Sequence, residues 1–159
     1  MTAELDQLTD VPAIRASLDE RELDLIDRAR HGGATWAQIA AALGLGSRQA
    51  AEQRRQRLLA ARRSRRQHLD LGLPAQIVGL RTAVADLDRW ISADRRWDSR
   101  FLRATLVRST VDAALDAAPG SLYALALHLV ADLAGARERL PPPVQAVEAR
   151  LTAALSTIR

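Results

Sequence analysis

The sequence predicts an all-α protein, on three observations. Alanine, leucine and arginine, all good helix formers, dominate the 159 residues. Apolar residues recur at spacings of three and four, and no stretch alternates as a half-buried strand does. Capping pairs and Gly or Pro breaks divide the chain into helix-sized segments. The expected architecture is an N-terminal trihelical helix-turn-helix domain followed by a C-terminal helical bundle.

Residues 1–14 read as an acidic N-terminal arm, in which Asp10 and Pro12 suit the start of a brief helix. Ser17 and Glu20 have capping-box spacing and predict a helix over 18–31, ended by Gly32-Gly33. Its apolar residues are Leu18, Leu23, Leu25, Ile26 and Ala29. Thr35 and Gln38 form a second capping box, opening a helix that ends near Leu43–Gly44. Trp36, Ile39, Ala40 and Leu43 make its inward stripe. Ser47 caps a third helix that continues to about Leu69, where Gly72 and Pro74 break the chain. The domains therefore read as 15–70 and 74–159.

In the second half, Ile77, Leu80, Val84, Leu87 and Ile91 step by 3, 4, 3 and 4, a seam with coiled-coil spacing. A helix over 97–117 carries Trp97, Phe101, Leu102, Thr105, Leu106, Val111 and Leu115. Pro119-Gly120 ends it. The segment 121–139 is apolar on most faces, which predicts a central position in the bundle. Pro141–Pro143 form a rigid joint, and Val144, Val147, Leu151, Leu155 and Ile158 share one stripe of a last helix. The 77–91 seam and this stripe are the expected oligomer interface, for a homodimer or a tetramer.

Composition narrows the function classes. There is no cysteine, which excludes disulfides and thiolate metal sites. His31, His68 and His128 are far apart in sequence, and no metal-ligand spacing, Gly-rich phosphate loop or nucleophile elbow occurs. No metal or other cofactor is expected, and no enzyme activity. The carboxylate pairs Asp86–Asp88 and Asp94–Asp98 read as surface groups. His128 on its apolar helix reads as a buried, hydrogen-bonded histidine, and Trp36, Trp90 and Trp97 as core or interface. The start of the chain lacks the pattern of a signal peptide and no apolar run is long enough to span a bilayer, so a cytoplasmic protein without a membrane partner is expected.

Charge is the strongest functional signal. Residues 47–66 hold eight arginines and one acid, Glu52, about +7, while the whole chain is +4. Every basic residue is arginine, which suits bidentate contacts to phosphate and guanine. A short apolar helix, a Gly-containing turn and this cationic helix are the parts that place a recognition helix in the major groove of double-stranded DNA. At about 100° per residue, Gln49, Gln53 and Gln56 face away from Ala51 and Leu58. Glutamine can bond adenine, and arginine guanine, bidentately. Expected base readers are Arg48, Gln49, Gln53 and Gln56, with Glu52 either accepting from cytosine or pairing with Arg48 or Arg55. Expected phosphate contacts are Thr35, Ser47, Arg54, Arg57, Arg62, Arg63, Arg65 and Arg66. With six phosphates neutralised the log–log salt slope would be about −5.

The stretch WAQIAAALGLGSRQAAEQRRQRL resembles the small helix-turn-helix domains common in actinobacterial DNA-binding proteins, and more broadly the DNA-reading region of sigma factors. The resemblance covers about 40–50 residues. It implies a trihelical fold and duplex DNA as ligand, and puts Ser47, Arg48, Gln49 and Gln53 at the DNA. The turn Gly44-Leu45-Gly46 is longer than in many such domains, which leaves the register of the third helix open by one residue. Residues 74–159 show no such likeness. The reading is a bacterial transcription regulator that binds duplex DNA. The alternatives are a nucleoid-associated architectural protein that binds broadly, and a regulator whose C-terminal helices sense an effector or a protein partner. A solvated arginine face without a ligand is the plainer reading of the same run.

Overall fold

A computed structural model describes residues 3–157. Among them the structure is all-α, with no strand. The chain divides into two compact units, one ending at Ser64 and the other starting at Arg65. That division falls inside the third helix, which runs on to Asp70, while the break expected at 70–74 is the turn before the next helix.

The first unit holds α1 (Ala3–His31), α2 (Trp36–Ala42) and most of α3 (Arg48–Asp70). Its core is small: Leu23, Ile26, Ile39, Ala40, Ala51 and Leu58, with Trp36 and Leu45 packed beside them. The expected arm is instead the beginning of α1, and residues 1 and 2 of it lie outside the described residues. Glu4 and Asp6 in the first turn favour a helix start there through the helix dipole. Pro12 lies inside α1 and removes one backbone donor. The carbonyl it leaves unmatched, that of Leu8, lies on an exposed stretch that water reaches. Ser17 and Glu20, read as a cap, are mid-helix residues. Along this extension Leu5, Leu8, Ile14 and Leu18 are exposed.

The second unit holds α4 (Ala75–Ala93), α5 (Trp97–Arg100), α6 (Ala104–Asp116), α7 (Pro119–Ala134), a 3-10 turn (Arg137–Arg139) and α8 (Pro142–Ser156). Its helices close around one apolar core, with α4 packed on α8, α6 and α7. Pro119 and Pro142 start their helices at positions where no backbone donor is needed.

Three expectations about this half are overturned. Leu80, Val84, Leu87, Ile91, Val144, Val147, Leu151 and Leu155 are buried in the protein's own core, and Ile77 is half-buried against it. They are not an oligomer surface: α4 and α8 of the same chain cover each other's apolar faces. Ile158, the last residue of that set, lies outside the described residues. The helix expected over 97–117 is two helices. Trp97 is buried and its indole N–H donates to the Ala104 carbonyl at 2.8 Å, while Phe101, extended at φ −155°, meets it edge-on at 5.5 Å. Finally, α7 is one-sided. It buries Leu122, Ala126, Leu129 and Leu133 but exposes Leu127 and His128, so His128 is a surface residue. Trp90 is exposed as well, so of the core and interface positions expected for it the core one is excluded.

Arg81 was not anticipated. It is 2% exposed, as is Asp70. Its Nε donates to Asp70 Oδ2 at 2.6 Å. Its terminal nitrogens donate to the carbonyls of Ala114 (2.6 Å), Leu115 (3.1 Å) and Ala117 (2.6 Å). The cation therefore closes the C-terminal end of α6, where unmatched carbonyls and the helix dipole favour positive charge.

Candidate nucleic-acid interface

The site is built from two caps and a turn. Thr35 opens α2: its hydroxyl oxygen accepts from Gln38 N–H at 3.2 Å, and Gln38 Oε1 accepts from Thr35 N–H at 2.8 Å. Gly44, at φ +66°, closes α2. Leu45 N–H then reaches Ala40 O at 2.8 Å and Gly44 N–H reaches Ala41 O at 3.2 Å, the paired bonds of a Schellman end. Leu45 drops onto the core beside them. Ser47 Oγ accepts from Ala50 N–H at 3.1 Å and starts α3. Ala40, 3% exposed, lies inside between these helices.

Ala51 and Leu58 hold α3 against the core. Gln49, Gln53, Gln56 and Arg57 are exposed on its other side, as the sequence spacing predicts. Arg48 is exposed too, with Nε 3.4 Å from Glu52 Oε1. Arg57 makes no ion pair among the described residues.

Other predicted phosphate contacts are engaged inside the protein. Arg54 is half-buried, and its guanidinium grips Glu22 with two bonds of 2.8 and 2.7 Å, with Asp19 at 3.7 Å. The hydrogen bond from Arg54 holds the Glu22 carboxyl below the usual glutamate range, despite its partial burial, and the same bond raises Arg54. The assignment of Arg54 as a phosphate clamp is thereby corrected. Arg55 donates to Asp27 at 2.6 Å, and Arg62 lies 3.7 Å from Asp24. Arg62, Arg63, Arg65 and Arg66 are half-buried and ride on a helix that continues to Asp70. The Thr35 hydroxyl is occupied in its cap, contacting Gln38 Oε1 at 3.1 Å as well, which removes it as a phosphate donor. The i,i+4 spacing within α3 gave no hint of these partners. The signal was in α1, where Asp19, Glu20, Glu22, Asp24 and Asp27 crowd into nine residues.

Elsewhere, Leu102, Arg103, Asp132, Arg137 and Arg139 rim an open cavity of about 960 Å³ in the second unit. Arg103 pairs there with Asp132 at 3.1 Å. Among the described residues no cluster of three or more His, Asp or Glu could hold a metal ion, and no helix is long and apolar enough to cross a membrane. No protein-family model, curated protein or solved structure matches the chain.

Proposed function

We propose that the chain binds duplex DNA by laying the first half of α3 in the major groove, with α2 bracing it as in a helix-turn-helix, and that it acts as a transcription regulator. One observation carries this reading: α3 is anchored by Ala51 and Leu58 while Gln49, Gln53, Gln56 and Arg57 are exposed together beyond a capped glycine turn. Those are side chains that bond base edges and phosphates.

The internal ion pairs favour a sequence reader over a broad packaging protein. Arg54, Arg55 and Arg62 answer carboxylates of α1, so fewer cations face a phosphate backbone than the arginine count suggests. Homodimerisation stays part of the proposal, since two reading heads on one duplex gain through effective concentration. Half-sites would then lie about 34 Å apart or a multiple of that. The surface that pairs the copies is not the buried seam of α4 and α8.

Fluorescence anisotropy with a labelled duplex, repeated across salt concentrations, tests the reading. With Arg54, Arg55 and Arg62 held by α1 the log–log slope is shallower than about −5, and Arg57→Ala makes it shallower by about one more. Absence of duplex binding at low salt, or a slope indifferent to Arg57, overturns the proposal.

A further inference from the structure

Resting on the duplex-DNA reading above, we propose that α3 selects A·T base pairs in the major groove, with Gln49, Gln53 and Gln56 reading adenine and Ala60 meeting thymine methyl groups. The first support is angular. Taking the midpoint of buried Ala51 and Leu58 as the inward direction, Gln49, Gln53, Gln56 and Ala60 lie within about 30° of the opposite pole of the helix. All four are exposed. Arg57 lies about 70° from that pole, Arg48 about 110° and Arg54 about 130°. Arginine, the usual partner of guanine, is thus absent from the direction that faces the groove floor.

The second support is chemical occupancy. Arg54 is gripped by Glu22, and Arg48 sits beside Glu52. The groups left at the pole are neutral amides and a methyl. A glutamine amide donates to adenine N7 and accepts from adenine N6, and an alanine methyl packs on the methyl of thymine. Glu52, the acceptor that suits cytosine, lies about 70° off the pole on the Arg48 side. The third support is length. From Gln49 to Gln56 the helix rises about 10.5 Å, which matches about three base pairs at 3.4 Å each. The small side chain at Ala60 lets the helix approach closely just beyond them.

Selection from a random duplex pool, followed by anisotropy on the enriched sequence, tests the assignment. The expected result is a run of about three A·T pairs, with affinity weakened about 5- to 150-fold when 7-deazaadenine replaces adenine there, because that base lacks only the major-groove N7 acceptor. Gln53→Ala should bring the affinity for the A·T run down toward that for a G·C duplex. The exposed helical site and alanine's high helix propensity keep that variant folded. Enrichment centred on G·C pairs, no enrichment, or A·T enrichment insensitive to 7-deazaadenine overturns the base assignment alone. Failure to bind any duplex overturns the DNA reading with it.

Discussion

Arg81 has four hydrogen bonds inside the second unit and almost no access to solvent. Removing it strands the Asp70 carboxylate and three carbonyls of α6 and its cap in an apolar setting. Breaking a buried pair from one side typically costs about 3–5 kcal/mol, so Arg81→Ala should lower the unfolding free energy by that much in urea titration. A loss below about 1 kcal/mol, the level of a surface ion pair, would contradict the role assigned to this guanidinium. The Glu22–Arg54 pair makes a different prediction, in pH. The folded-state carboxyl of Glu22 lies below its unfolded value, chiefly through the hydrogen bond from Arg54. Between those two values the unfolded chain binds more protons, so acid favours unfolding. Its stabilisation is complete above the ordinary glutamate range, near pH 4.3, and disappears as pH falls through the folded value. Glu22→Gln should therefore flatten the acid limb of the stability profile, which thermal melts at a series of pH values will register. An acid limb unchanged by that substitution would show that the pair adds nothing.

At the scale of elements, the end of α2 depends on backbone conformation. Gly44 sits at φ +66° with open space where a Cβ would project. Gly44→Ala should therefore cost only the left-handed penalty, about 1–2 kcal/mol, with Gly44→Asn nearer to wild type. Equal stability of the alanine and glycine proteins would mean the turn relaxes to another geometry. This junction was readable in the sequence because caps and glycine ends are local chemistry: Thr35, Gln38, Gly44 and Ser47 act on neighbours within a few positions. The start of α1 was not readable, since Ser17 and Glu20 have cap spacing whether or not a helix already runs through them. The break between α5 and α6 was hidden as well. It depends on where the Trp97 indole finds its acceptor, a tertiary fact. So do the partners of Arg54, Arg55 and Arg62, which lie about thirty or more residues away in α1.

At the scale of the whole molecule, each unit has its own core, and the apolar seams of α4 and α8 belong to one of them. A seam of spacing three and four says that one face is covered, but not whether the cover is the same chain or another. Here five helices within one segment supply it in cis. Leu87→Ala should accordingly cost about 2–5 kcal/mol, and by the same amount at every protein concentration. A loss that shrinks as concentration rises would return Leu87 to an intersubunit contact. The candidate site was legible down to the identity of its exposed glutamines, because those follow from helical periodicity alone. Which arginines are free to meet a phosphate was not. The most direct test of the central claim is backbone amide NMR of the full chain titrated with a short duplex. The largest shifts are expected at Ser47–Arg57, with smaller ones in α2 and little change across α4 to α8. Shifts concentrated in α4 to α8, or none at low salt, would contradict it.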